Sequence, residues 1–244
     1  MASERKNQRG LTWALTGGAI LLAGLIAIFV NAALNQPDVA PTTPPASTTA
    51  SSPPATPPAT DGDVVDPNVA DQGWVPEPIT TDPDLYIRRA LEAASTFDTQ
   101  LSERDEWLTY LDAWFTPDTR YTSETDQLEE MKSAQLELRQ SLVLPEPEWD
   151  SLAQEDGRVT ASVTGDIDYV DVPEDPSGDM RIGTADVTLA FTRTSGDGAE
   201  TSYEETVRVS VQVLCGAGSV PTPDSSQQPG DCKIVRYFPE PMEP

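Results

Sequence analysis

Apolar and polar residues alternate in three segments of the sequence: VTASVTGDIDY (159–169), ADVTLAF (185–191) and YEETVRVSVQV (203–213). Successive side chains of a β-strand point to opposite faces, so each segment predicts a strand with one buried face. Turn-forming residues separate the segments, and a further run, CKIVRYF (232–238), predicts a fourth strand. Consecutive strands joined by turns of this kind predict a four-stranded antiparallel sheet.

Three helices are predicted before the strands. Asp82-Pro83 is a typical helix start, because aspartate caps the first turn and proline fits within it. Apolar residues then recur at helical spacing in residues 85–101, again in 102–115, and less regularly in 123–141. Helices followed by strands indicate an α+β domain, with the N-terminal helices packed on one face of a curved four-stranded antiparallel sheet.

The two cysteines of the sequence fit this layout. Cys215 ends the third predicted strand and Cys232 begins the fourth, with a loop of polar residues, Gly and Pro between them. Adjacent antiparallel strands would bring the two residues to disulfide distance, so we predict a structural disulfide. A redox-active pair would favour a Cys-x-x-Cys spacing or a basic neighbourhood, and Lys233 is the only cation nearby. A structural disulfide indicates an oxidising compartment.

Residues 11–34 form an apolar run, LTWALTGGAILLAGLIAIFVNAAL, without a charged residue. At about 1.5 Å per residue, a helix of this length crosses a hydrocarbon core of about 30 Å. Basic residues dominate the charge of residues 1–10, which favours a cytoplasmic N-terminus and a single-pass protein of the cell membrane. The alternative is a signal peptide cleaved near Val30-Asn31-Ala32. Both interpretations place residues 35 onward outside the cytoplasm.

Residues 35–81 contain eleven prolines among Thr, Ser and Ala, as in PTTPPASTTASSPPATPPAT (41–60). Proline fixes φ and lacks a backbone donor, so neither a helix nor a sheet can propagate through this segment. We therefore predict a disordered, extended linker over 35–81, which carries an extracytoplasmic domain at 82–244. Thr- and Ser-rich linkers outside the membrane are also substrates for O-glycosylation.

Charge and composition exclude several classes of function. The net charge of -26 and the pI near 4.1 disfavour nucleic acid and anionic lipid headgroups as partners. The whole sequence contains no histidine and no phosphate-binding loop. We predict no catalytic residue, no metal and no cofactor, with a carboxylate pair as the enzymatic alternative. An acidic cluster around the first hairpin is interpreted as solvated, with calcium binding as its alternative: Asp166, Asp168, Asp171, Glu174, Asp175 and Asp179.

An aromatic stripe on the second predicted helix is the one pocket candidate. Trp107, Trp114 and Phe115 lie on one helical face, at positions i, i+7 and i+8. Side chains of this kind could line a pocket between the helices and a curved sheet. A stripe at helical spacing is more often simply part of the core.

Three N-terminal helices followed by a curved four-stranded meander, over residues 82–239, resemble the nuclear-transport-factor-like (cystatin-like cone) fold. Together with a short cytoplasmic N-terminus, one membrane helix and a linker, the pattern resembles the bitopic scaffold proteins of type IV secretion and conjugation channels. The resemblance implies a non-catalytic domain that assembles with itself and with other channel subunits. The sequence departs from that family in its long Pro/Thr linker and its single domain, and its composition suggests an actinobacterial source.

Three functions follow as competing hypotheses. The first is a membrane-anchored scaffold subunit of a cell-envelope complex, with protein partners that include further copies of the chain. The second is a tethered domain that binds a small ligand in an apolar cone cavity and predicts a roomy pocket. The third is an enzyme on the same fold, which would need titratable side chains inside the cavity.

Overall fold

The structure is a computed structural model that describes residues 62–175 and 177–243. The predicted membrane helix (11–34), the N-terminal ten residues and the first part of the predicted linker (35–61) lie outside the described residues. Within the described ranges, no helix combines the length and the apolar character that crossing a membrane requires.

The described chain is an α+β domain with its helices before most of its strands. After a short 3₁₀ helix, Pro67–Gln72, come four α-helices: α1 (Pro83–Ala93), α2 (Arg104–Asp112), α3 (Glu124–Ser141) and α4 (Glu146–Ala153). The strands are β1 (Phe97–Asp98), β2 (Arg158–Val170), β3 (Met180–Thr194), β4 (Glu200–Leu214) and β5 (Lys233–Phe238).

All neighbouring strands pair antiparallel, and the sheet order β1-β2-β3-β4-β5 follows the chain. The antiparallel meander is therefore confirmed, with five strands instead of the predicted four. The additional strand is the two-residue β1, in which Phe97 pairs with Val159. It was missed because residues 85–101 read as one continuous helix, whereas α1 ends at Ala93.

Local signals explain where the helices start. The Asp82 side chain accepts a hydrogen bond from the Asp84 amide, with Pro83 in the first turn, as the sequence predicts. Ser123 caps α3 in the same way, by accepting from the Asp126 amide. The short α4 was not predicted, because its eight residues are too few to show a clear helical period.

The core lies between the helices and the inner face of the sheet. Helix α1 packs across β2, β3 and β4, and α3 packs against β5. Three aromatic rings form one cluster in the core: Phe97 lies 5.0 Å from Trp107 and 4.2 Å from Trp149, measured between ring centroids, and Trp149 stacks on both. Because α1 crosses the sheet closely, Gly183 faces it, and an added Cβ there would lie 2.7 Å from Ile87 Cδ1.

The predicted boundary between linker and domain at residue 82 is wrong. Residues 62–81 are part of the domain: Val64 forms a β-bridge with Pro78, and Trp74 is buried. The prolines of this segment end regular secondary structure but do not prevent packing, because apolar and polar side chains between them find partners in the domain. The domain therefore begins before α1.

Candidate interaction site

Residues 74–80, WVPEPIT, are called the root segment; they lie between the 3₁₀ helix near the start of the domain and α1. The Trp74 indole N–H donates to Ser102 Oγ at 2.8 Å, and its ring stacks on Tyr110 with centroids 5.0 Å apart. The Tyr110 hydroxyl donates to the Val75 carbonyl at 2.7 Å and accepts from the Glu77 amide at 3.0 Å. At the other end, the Cys232 amide donates to the Thr80 carbonyl at 2.7 Å. The root segment is thus held along its whole length.

The centre of the root segment is a buried ion pair. Lys233 Nζ donates to Glu77 Oε1 at 2.7 Å, and both side chains are 1% exposed. The same oxygen accepts from the Tyr86 hydroxyl at 2.7 Å and from Gln227 Nε2 at 3.2 Å. Glu77 Oε2 lies 3.2 Å from the Thr222 hydroxyl. We call these five side chains the Glu77 network.

The ammonium group of Lys233 is fully coordinated as well. Beyond Glu77, it donates to the Ala113 carbonyl at 2.8 Å and to Thr222 Oγ1 at 2.6 Å. A buried charge is tolerated when its partners replace the lost water, and three acceptors meet that condition here. The arrangement joins the root segment to the end of α2, to the loop 216–231 and to β5.

Burial controls the ionisation of the network. Burial lowers the pKa of Lys233, and the neighbouring Glu77 carboxylate opposes that shift. Burial, followed by the charge and hydrogen bond of Glu77, raises the pKa of Tyr86 well above its ordinary value. Tyr86 therefore stays a protonated donor to Glu77 in neutral and in moderately alkaline solution.

The predicted disulfide is confirmed: Cys215 and Cys232 are bonded, with their Cα atoms 4.0 Å apart. The loop that it closes supplies Thr222 and Gln227 to the Glu77 network. The disulfide therefore also constrains the side chains that hold the root segment. Sequence reasoning missed the network because Glu77 was assigned to the linker, and Lys233 was weighed only as a neighbour of the cysteines.

The three predicted pocket residues lie in the core. Trp107 and Trp114 are fully buried, and Phe115 is 6% exposed. Trp107 belongs to the aromatic cluster with Phe97 and Trp149, and Trp114 packs against Tyr86 and Tyr110. Phe115 lies against Tyr237. Use of these three side chains by a ligand stays a prediction.

A separate apolar groove of about 250 Å³ opens between the sheet and the ends of α1 and α3. Its floor is the inner face of β2 and β3. Its walls are formed by residues just after α1 and by the end of α3 with the loop that comes after it. Ser95 and Gln140 are the polar groups beside otherwise apolar or proline side chains: Phe97, Leu142, Val143, Leu144, Pro145, Val159, Leu189 and Phe191. The alternation of β2 and β3 predicts an apolar inner face, but the loop after α3 carries no comparable signal.

Near this groove, part of β4 forms the edge of the sheet, because β5 pairs with only one end of β4. Strand β4 pairs with β3 over its whole length, but β5 reaches only Ser210 to Leu214. Residues 200–206 of β4 are exposed at every position and have no strand on their other side among the described residues. We call residues 200–206 the open edge.

Two carboxylates of the acidic cluster at the first hairpin, Asp168 and Asp175, bind other groups of the chain. The Asp175 carboxylate accepts from the Ser177 hydroxyl at 2.6 Å and from the Met180 amide at 2.9 Å. Asp168 pairs with Arg208, which also binds Asp186 and Glu243. Within residues 62–175 and 177–243, His, Cys, Asp and Glu form no group able to hold a metal ion.

Comparison with known proteins gives structural neighbours but no family. No protein-family description matches the chain, and no curated protein matches its sequence. The structure is similar to an IcmL-like type IV secretion system protein from Legionella pneumophila, with 11% identity, a TM-score of 0.36, and 64% of this chain and 88% of that chain covered. It is also similar to CagV, a VirB8 homologue of the type IV secretion system of Helicobacter pylori, with 13% identity, a TM-score of 0.32, and 61% of this chain and 89% of that chain covered. At such TM-scores the likeness carries no functional argument.

Proposed function

We propose that the protein is a membrane-anchored extracytoplasmic interaction module, a non-catalytic scaffold subunit of a cell-envelope complex of the secretion or conjugation kind. The anchor is the apolar segment 11–34, and the linker is the proline-rich segment that follows it. With the domain starting near residue 62, residues 35–61 remain as the linker. At ~3.1 Å per residue they reach about 80 Å when extended.

The Glu77 network is the observation that carries this proposal. A domain on a linker that is attached loosely would turn freely about its attachment. Here the root segment, which lies near the start of the domain, is fixed by a buried ion pair and by the loop that the disulfide closes. A force transmitted through the root segment would act on α2 and β5 together, because Tyr110 of α2 and Lys233 of β5 both bind Glu77. Such an attachment suits a subunit that has to present one surface to its neighbours under load.

Composition supports the non-catalytic part of the proposal. The sequence has no histidine, and both cysteines are in the disulfide. The most common general base and thiol chemistry are therefore not available to this chain. The large negative charge favours partners that are cationic or that dock through apolar surface.

Fractionation of cells that express the full chain tests the scaffold function. We expect the chain to resist carbonate extraction, to lose its domain to protease added to intact cells or spheroplasts, and to migrate above monomer size after extraction in mild detergent. A chain that stays in the soluble fraction, or a protease-protected domain in intact spheroplasts, would refute the topology. A monomer under all extraction conditions would refute the scaffold role while leaving the topology in place.

The groove beside β3 favours a second candidate function, in which the tethered domain binds a small, largely apolar ligand. A volume of about 250 Å³, with Ser95 and Gln140 at an apolar wall, suits a small molecule that has one polar group. A thermal-shift screen of the full chain tests this candidate, because a ligand that binds only the native state raises the melting temperature. Leu189→Trp should fill the groove and abolish the shift, whereas Leu128→Trp on the exposed face of α3 should not. No shift with any ligand, or an equal shift in both variants, would reject the groove as a ligand site.

A further inference from the structure

The open edge presents unpaired backbone groups. In an antiparallel ladder, alternate residues of a strand direct N–H and C=O away from each neighbour. The pairing of β4 with β5 ends at Ser210 of β4. Half of the backbone groups of residues 200–206 therefore point to the open side. Seven exposed residues are enough for one more strand of ordinary length. Exposed edges of this kind are templates for strand addition unless they are blocked.

Several of the usual blocking devices are missing from this edge, and the charged side chains that it carries are all glutamates. Residues 200–206, ETSYEET, contain no proline and no lysine, and the pairing with β3 runs through them without a bulge. The C-terminal residues approach β4 only further along, where the Met242 amide donates to Ser210 Oγ at 2.8 Å. Within the described residues, the open edge therefore has neither a covering segment nor an interruption.

An added strand would have a defined environment on each face. Tyr203 lies opposite Phe191 on the inner face, with ring centroids 4.8 Å apart and planes nearly parallel, and Tyr203 is 49% exposed. Glu205 lies on the same face, opposite Leu189. Phe191 and Leu189 line the apolar groove, so inward side chains of the added strand would lie at its mouth. Ser202 and Glu204 lie on the outer face.

The negative charge of the open edge favours a basic strand as its binding partner. Glu200 is already bound by Arg158, at 3.0 Å. Glu204 and Glu205 are exposed and form no ion pair with any described residue. One of these two carboxylates lies on each face of the edge, so both faces favour a basic side chain on the neighbouring strand.

A second copy of this chain fits the edge poorly. Three of the seven edge residues are glutamates. In the antiparallel register that sets Glu200 against Arg208 of another copy, Glu204 would face its own equivalent. Like charges directly opposite each other destabilise a strand pair.

We propose that the open edge of β4 accepts an extended basic segment of a partner protein as a sixth strand, with its apolar side chains at the mouth of the groove. The partner belongs to the complex in which the protein is proposed to act, so this inference rests on that scaffold function. Main-chain hydrogen bonds would supply the affinity, while Glu204, Glu205 and Tyr203 would supply the selection of side chains.

Peptide binding to the full chain in mild detergent tests the proposal. The probe is a labelled peptide of sequence Lys-Thr-Val-Arg-Val-Arg-Val-Thr-Lys, with a counterpart in which Glu replaces every Lys and Arg. We expect the basic peptide to bind and to slow amide hydrogen exchange in residues 200–206, and the acidic peptide to do neither. Methylation of one alternate set of peptide amides should abolish binding, while methylation of the other set should leave it unchanged. Only a peptide that pairs through one edge shows this asymmetry.

A matched pair of variants separates strand addition from general attraction to an acidic protein. Glu204→Gln/Glu205→Gln should weaken binding about fivefold at low salt, as expected for two exposed ion pairs. Glu129→Gln/Glu130→Gln removes the same charge from the exposed face of α3 and should leave binding unchanged. Equal weakening by both pairs, equal effects of the two methylations, or unchanged exchange in residues 200–206 would overturn the proposal. Concentration-dependent protection of these residues without peptide would overturn it in favour of a second copy.

The scaffold function and the added strand can be refuted independently of each other. Peptide binding does not depend on membrane topology or on native partners, so a negative result removes the sixth strand and leaves the fractionation result unaffected. A soluble, monomeric chain that still binds the basic peptide would remove the scaffold function and leave the edge as a binding site.

Discussion

Replacing Lys233 by methionine should be among the most costly single changes in the domain. Methionine keeps much of the volume and removes the charge. Among the described residues, Glu77 then loses the one cation that pairs with it, at a position where its side chain is 1% exposed. Removal of one partner from a buried ion pair typically costs about 3 to 5 kcal/mol. We expect a loss in that range, because Tyr86, Gln227 and Thr222 still hold the carboxylate in place.

A double variant that also neutralises Glu77 tests whether the unpaired buried charge causes that loss. In Glu77→Gln/Lys233→Met, the amide oxygen can still accept from Tyr86, and no buried charge remains. The total cost should then fall to about 1 to 2 kcal/mol, the cost of the hydrogen bonds that are not replaced. Arg158→Met is the control, since its partner Glu200 is 53% exposed, and it should cost no more than about 1 kcal/mol.

Urea unfolding of the full chain in mild detergent measures these costs. Four of the five tryptophans are buried in the domain and report its unfolding by fluorescence: Trp74, Trp107, Trp114 and Trp149. A loss below about 1 kcal/mol for Lys233→Met would show that the buried ion pair matters no more than the exposed control pair, and would refute the predicted cost of an unpaired buried charge. A double variant that costs as much as Glu77→Gln and Lys233→Met added together, each measured alone, would contradict it as well.

Three further predictions concern the disulfide, the helix–sheet contact and alkaline pH. Cys215→Ser/Cys232→Ser should cost about 3 kcal/mol in urea unfolding, from the entropy of the opened loop, and a loss below about 1 kcal/mol would contradict a structural role. Gly183→Ala should cost about 1 to 2 kcal/mol, because the new Cβ would press on the buried Ile87, whereas Gly196→Ala has open space and should be neutral; equal effects would contradict the close approach of α1. Stability should fall as pH rises above about 10, where unfolded tyrosines ionise. Burial raises the pKa of five tyrosines, of which three belong to the core or pack against it: Tyr86, Tyr110 and Tyr237. The stabilising contribution of these three is complete below about pH 10 and is lost above it. Absorbance at 295 nm should show them ionising only on unfolding, and ionisation before unfolding would contradict their burial.

The sheet was predictable from the sequence because its signal is local. Val207, Val209, Val211 and Val213 alternate with polar residues, and the structure buries this side of the strand progressively toward Leu214. The cysteines were paired for the same reason, since strand order alone brings them together. The two-residue β1 was not predictable, because its pairing with β2 depends on a partner about sixty residues away.

The Glu77 network could not be predicted from local sequence patterns. Residues 74–80 carry two prolines and follow a long proline-rich segment, so composition assigned them to the linker. Their place in the domain depends on Lys233, which is 156 residues away from Glu77. No period or motif connects two such positions. The groove was anticipated between helices and sheet, but its walls come from the loop after α3 rather than from the predicted aromatic stripe.

Site-specific photocrosslinking of the full chain in its native cells tests the scaffold function most directly. A photoreactive phenylalanine analogue would replace Tyr203 at the open edge or, as a control on another face, Tyr121, which is 37% exposed. We expect a discrete adduct from position 203 to another envelope protein, mapped to a basic segment of that protein, and no such adduct from position 121. The absence of a protein adduct at position 203, with the chain correctly inserted in the membrane, would contradict a scaffold that meets its partner at the open edge.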